Sequence, residues 1–112
     1  MARLSGARTR VWNRQPRARD RAWQSMRIMR RFTLPDLMAT AEISHDNAKK
    51  YVRGLVLSGY VRVVVERASG RKGGHAVYQL LRDTGPRAPR LQTDGRTYDP
   101  NEHRIYEGGI TQ

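Results

Sequence analysis

The side chains best suited to chemistry in this chain follow Ser44 at helical spacing. Within residues 44–58, three Lys or Arg residues are interleaved with side chains that carry amide, imidazole or hydroxyl groups. Lys and Arg suit phosphate oxygens, whereas Asn and His can hydrogen-bond base edges, and Asn suits adenine. We therefore expect one helix face to contact nucleic acid through Ser44, His45, Asn47, Lys49, Lys50 and Arg53.

A second group of cations lies in the glycine-rich stretch Gly70-Arg71-Lys72-Gly73-Gly74. Glycine allows a backbone to approach a ligand closely. We expect Arg71 to enter a narrow minor groove, where the negative potential is highest, with Lys72 beside it. Three cations from earlier in the chain complete the set of expected contacts, namely Arg27, Arg30 and Arg31.

Catalytic and metal-binding sites find no support in the sequence. The stretch 70–74 lacks P-loop spacing, because no Gly-Lys-Ser/Thr follows a first glycine after four residues. The chain has no cysteine, and its three histidines share no spacing typical of metal ligands. We therefore expect neither an enzyme nor a bound metal or cofactor.

Two helices are expected ahead of the cationic helix. Residues 20–31 carry apolar side chains at spacings of three and four, which predicts a helix capped by Asp20. Thr33 is the predicted cap of a second helix that ends near Glu42, and Asp36 completes a capping box. Glu42 stands where a turn between two helices often has glycine, so this turn must be built differently.

The cationic helix is expected to lead into a β-hairpin. Ser44 caps this helix, and Gly59 can end it in the left-handed conformation. Residues 60–67 form a β-branched run typical of a strand, and residues 76–81 return as a second strand. The loop 68–75 joins the strands, so Arg71 and Lys72 are predicted at the tip of the hairpin.

The run Ser44-x-x-x-Ala48-x-x-x-Val52-x-x-Leu55-x-x-x-Gly59-Tyr60-Val61 resembles the recognition helix and the start of the wing in winged helix-turn-helix DNA-binding proteins of bacteria and phages. The resemblance covers about Asp20 to Arg82. It implies a mainly α fold with a β-hairpin (α+β), in which three helices precede a two- or three-stranded wing. It also implies that the third helix enters the major groove of DNA, with the wing beside it.

Charge and turn signals divide the chain into three predicted parts. The net charge is +12, of which +9 falls in residues 1–31, +3 in residues 32–83 and zero in residues 84–112. We expect residues 1–18 to be a flexible basic arm and residues 19–83 to be the winged domain. Residues 84–112 are rich in turn and helix-breaking signals and are expected to form an extended tail.

The expected function is binding of double-stranded DNA, in a transcription regulator or in an accessory protein of a phage or mobile element. We expect a cytoplasmic, nucleoid-associated location. No membrane contact is expected, since the sequence has no run of 18 apolar residues. A monomer and a homodimer both fit the sequence. If the chain binds a protein partner, the C-terminal tail is the segment expected to contact it. Three alternatives stay open: a winged-helix assembly adaptor, a basic RNA-binding protein and, from the Arg-rich start, a mitochondrial precursor.

Overall fold

A computed structural model of the chain describes residues 17–65 and 74–107. The described residues form an α+β fold with three helices and two small antiparallel sheets. Residues 1–16 of the expected arm, the hairpin tip with Arg71 and Lys72, and residues 108–112 lie outside them. Residues 17 and 18, which we expected in the arm, are instead the N-cap and the first residue of the first helix. In chain order the elements are α1 (Ala18–Met29), β1 (Arg31–Phe32), α2 (Leu34–Ala41), α3 (His45–Leu57), β2 (Val61–Val65), β3 (Val77–Leu80), β4 (Arg90–Leu91), β5 (Thr97–Asp99) and β6 (Arg104–Tyr106).

The predicted caps of α2 and α3 are confirmed. The backbone N–H of Asp36 donates to Thr33 Oγ1 at 3.2 Å, and the N–H of Thr33 donates to Asp36 Oδ2 at 2.8 Å, which is a capping box. Ser44 accepts a hydrogen bond from the N–H of Asn47 at the start of α3. Gly59 ends α3 with a φ of 88°, in the left-handed region that favours glycine.

The first helix begins earlier than expected. It starts at Ala18, so Asp20 lies within its first turn instead of capping it. Asp20 Oδ2 accepts a hydrogen bond from the N–H of Arg17, and its negative charge lies near the positive end of the helix dipole. Asp20 therefore stabilises the N-terminus of α1 from the third residue of the helix instead of from the cap position.

The turn between α2 and α3 depends on an arginine from α1. Glu42 adopts a left-handed conformation (φ 53°, ψ 48°) although it is not glycine. The Arg21 guanidinium donates to the carbonyl of Ala41 at 2.7 Å and to that of Glu42 at 3.2 Å. These bonds satisfy carbonyls that a helix leaves without partners at its C-terminus.

The first sheet closes the core beneath the helices. Its strand order is β1–β3–β2, and both pairings are antiparallel. Phe32 of β1 stacks on Tyr78 of β3 with ring centroids 5.8 Å apart, and the Trp23 ring meets the ring of Tyr60 edge-on at 6.0 Å. The core thus joins α1, α2 and α3 to one face of this sheet.

The expectation that residues 84–112 form an extended tail is wrong for residues 84–107. These residues form the second sheet, with strand order β4–β5–β6, and its side chains pack on the helices. The turn signals that suggested an open chain instead make the tight connections of two hairpins; Gly95, with a φ of 89°, lies in the first connection. Ala88 and Thr97 are buried, and Leu91 is half-buried against the core.

A buried carboxylate anchors the second sheet. Asp99 Oδ2 accepts from the Tyr60 hydroxyl at 2.8 Å and from Thr84 Oγ1 at 2.6 Å, while Oδ1 accepts from the N–H groups of Asn101 and Glu102. Burial raises the pKa of Asp99, but these four hydrogen bonds outweigh it and hold the pKa below its ordinary value. Asp99 therefore stays ionised and ties the second sheet to the start of β2.

Among residues 17–65 and 74–107, no helix combines the length and the apolar composition that crossing a membrane requires.

Candidate nucleic-acid interface

One side of α3 belongs to the core and the other faces solvent. Ala48, Val52 and Leu55 are fully buried, or nearly so, against the rest of the fold. Tyr51 is buried as well, and because successive residues of a helix are 100° apart, the side opposite these four residues points outwards. The outward residues His45, Lys49, Lys50 and Arg53, here called the α3 face, are all exposed.

Among the described residues, the cations of the α3 face have no acidic partner, whereas several cations elsewhere in the fold are paired. Arg27 Nε lies 2.9 Å from Asp83 Oδ1, and Arg82 Nη2 lies 3.4 Å from Glu102 Oε1. By contrast, no ion pair within the described part of the chain involves Lys49, Lys50 or Arg53. These three charges are therefore available to an anionic partner.

Asn47 is only partly available for the base contact expected of it. Its side chain is half-buried, and its Oδ1 accepts a hydrogen bond of 2.7 Å from Arg19 Nε. The Arg19 guanidinium also lies 5.2 Å from the centre of the Tyr51 ring. Bidentate recognition of adenine uses both the oxygen and the nitrogen of the amide, so Oδ1 would have to accept a second hydrogen bond beside that of Arg19.

The start of β3 lies beside the N-terminal half of α3. His45 and Lys49 share a depression with His75, Ala76 and Tyr78. The segment that leads into β3 therefore lies next to the α3 face. Ser44, at the N-terminus of α3, is exposed as well.

The three arginines expected to add DNA contacts lie outside the α3 face, near the C-terminal end of α1 and in β1. Arg27 and Arg30 both pair with Asp83, at 2.9 and 3.5 Å, near the C-terminal end of α1. Arg31 is opposite Gln79 in the first sheet. Arg19 is the residue of α1 that bonds Asn47 of α3. Because a helix rises about 1.5 Å per residue, Arg27 lies roughly 12 Å from Arg19 along the axis of α1.

The second sheet contributes residues that the sequence did not point to. Leu91 packs where Gly54 has no side chain, and Ser58 Oγ lies 2.5 Å from Thr97 Oγ1. These contacts hold the β4–β5 hairpin, with Arg96 in its connection, along one side of α3. The available signals were Gly54 inside a helix and the Asp94-Gly95 turn.

Metal binding and similarity to other proteins give no further guidance. Within the described ranges, no group of three or more His, Cys, Asp or Glu residues could hold a metal ion. Comparison of the chain with protein-family models, curated proteins and solved structures gives no match.

Proposed function

We propose that this chain is a winged helix-turn-helix protein that binds double-stranded DNA, with the α3 face in the major groove. The order helix–strand–helix–helix–strand–strand supports the winged assignment, as does the position of β3 between β1 and β2. The protein would act as a transcription regulator or as an accessory protein of a phage or mobile element. It would be located at the nucleoid in the cytoplasm.

The observation that carries this proposal is the exposed cationic side of α3. Lys49, Lys50 and Arg53 project from a helix of 13 residues whose opposite side is locked into the core. Such a helix is about 20 Å long, and the major groove is wide enough to admit it. The cations would meet phosphates on both sides of the groove, which gives affinity and fixes the orientation of the helix.

The flanking elements support the same orientation. The hairpin that would act as the wing has the start of its second strand, β3, beside His45 and Lys49. The N-terminal end of α1 also lies beside the start of α3, because Arg19 bonds Asn47. Residues 1–16 precede that end of α1 in the chain. Those residues contain four Arg and no acid. They would add contacts to the DNA backbone next to the groove that α3 occupies.

Two variants of equal charge test the proposal. The triple variant Lys49→Ala/Lys50→Ala/Arg53→Ala removes the cations of the α3 face, and Arg62→Ala/Arg87→Ala/Arg104→Ala removes three exposed cations elsewhere. Both lower the net charge from +12 to +9. Affinity for a mixed-sequence duplex, measured by fluorescence anisotropy, is expected to fall on the order of a hundredfold in the first and at most a few-fold in the second.

The salt dependence of the same titrations adds a second test. Loss of three phosphate contacts should lower the slope of log K against log salt concentration by roughly three, since each contact contributes about 0.9. Equal losses of affinity in the two variants would mean that only net charge matters, and binding that survives loss of the α3 face would contradict the proposal.

A further inference from the structure

A groove runs between α3 and the β4–β5 hairpin. Its floor is apolar and includes Leu57 and Leu91, while Lys50, Arg53, Gln92 and Arg96 stand around it. We call these six residues the hairpin groove. It has a volume of about 180 Å³ and opens to solvent next to the α3 face.

The β4–β5 hairpin packs closely against α3, and one of the contacts depends on a glycine that reduces the stability of the helix. A Cβ atom at Gly54 would lie 2.4 Å from Leu91 Cδ1, so any other residue at this position would require the Leu91 side chain to shift. Glycine inside a helix costs about 1 kcal/mol relative to alanine. Tyr51 adds a hydrogen bond of 2.8 Å to the carbonyl of Pro89. The Gly54–Leu91 contact and this hydrogen bond therefore set how closely the hairpin approaches α3.

The charges of the groove favour an anion. Lys50 and Arg53 have no acidic partner among the described residues. Asp94 Oδ2 accepts two hydrogen bonds from Arg96, at 2.9 and 2.7 Å, which orient the guanidinium and offset part of its charge. These hydrogen bonds also hold the pKa of Asp94 below its ordinary value, so Asp94 is ionised at neutral pH.

We propose that the hairpin groove binds one deoxyribose–phosphate unit of a DNA strand at the edge of the major groove. The phosphate would lie between Lys50, Arg53 and Arg96, and the apolar face of the sugar would lie on Leu57 and Leu91. The cations complement the charge of the phosphate, and the apolar floor complements the apolar face of the sugar. This inference rests on the proposed function, because it places a backbone contact beside the helix that enters the groove.

Three substitutions outside the α3 face test it by anisotropy with a mixed-sequence duplex over a range of salt concentrations. Arg96→Gln should weaken binding roughly fivefold and lower the salt slope by about one. Asp94→Asn should tighten binding a few-fold, because it removes a negative charge beside the phosphate. Leu57→Gln should weaken binding with no change of slope, because it alters the sugar contact alone.

The control Arg104→Gln removes the same charge from β6, on the far side of the second sheet, and should change affinity at most about twofold. If Arg96→Gln only loosened the hairpin by breaking its ion pair, Asp94→Asn would weaken binding too; opposite effects of the two are what the inference requires. Equal effects of Arg96→Gln and Arg104→Gln would overturn the inference and leave the proposed function standing. Absence of wild-type binding would overturn both.

Discussion

At the scale of single residues, the left-handed Glu42 is a position of backbone strain that a glycine would relieve. A non-glycine residue with a φ of 53° loses on the order of 1 kcal/mol, and Arg21 holds it there by bonding the adjacent carbonyls. Glu42→Gly should therefore raise the free energy of unfolding by about 0.5–1 kcal/mol in urea denaturation. Glu42→Ala keeps the Cβ atom and should give no gain; equal stabilisation by both would show that the side chain, not the backbone, matters.

The buried Asp99 predicts how stability depends on pH. Its pKa is lowered in the folded state, so the unfolded chain, with a pKa of about 3.9, takes up the proton first. The contribution of Asp99 is fully present above that range and is lost as the pH falls through the folded value. Asp99→Asn should cost about 2 kcal/mol at pH 7 and flatten the decline in acid. Urea midpoints measured from pH 7 to pH 3 check this, and an unchanged acid decline in the variant would contradict it.

At the scale of elements, Gly54 couples α3 to the β4–β5 hairpin. Alanine is the better helix former by about 1 kcal/mol, but its Cβ would collide with Leu91. Gly54→Ala should therefore give no stabilisation in the wild-type chain and about 0.5–1 kcal/mol in the Leu91→Ala background. A double-mutant cycle in urea measures the difference. Additive effects would show that the hairpin does not press on α3.

The sequence could predict elements whose signals are local. The capping box at Thr33, the cap at Ser44 and the left-handed Gly59 each depend on residues within one turn, and all are confirmed. The second sheet could not be predicted in this way, because its strands have only two or three residues and depend on packing against α3. For the same reason the bond between Arg19 and Asn47, 28 residues apart, has no counterpart in local spacing.

At the scale of the whole molecule, charge is concentrated at one end of the chain. Residues 1–16 contribute four of the positive charges, and α1 begins beside the N-terminus of α3. Deletion of residues 1–16 should weaken duplex binding by tenfold or more and lower the salt slope by up to about 3.6, since each of the four arginines can contribute about 0.9. A shortened chain that binds as tightly as the full one would exclude a role for these residues in DNA binding.

The most direct test of the central claim, that the α3 face lies against duplex DNA, uses the absence of cysteine from the chain. Lys50→Cys and Arg62→Cys each create one thiol, to which a photoreactive azidophenacyl group can be attached. The first thiol lies on the α3 face and the second on an exposed position of β2. On illumination with a labelled duplex, strong cross-linking from position 50 and little from position 62 is the predicted result. Equal yields from both positions, or a higher yield from position 62, would contradict it.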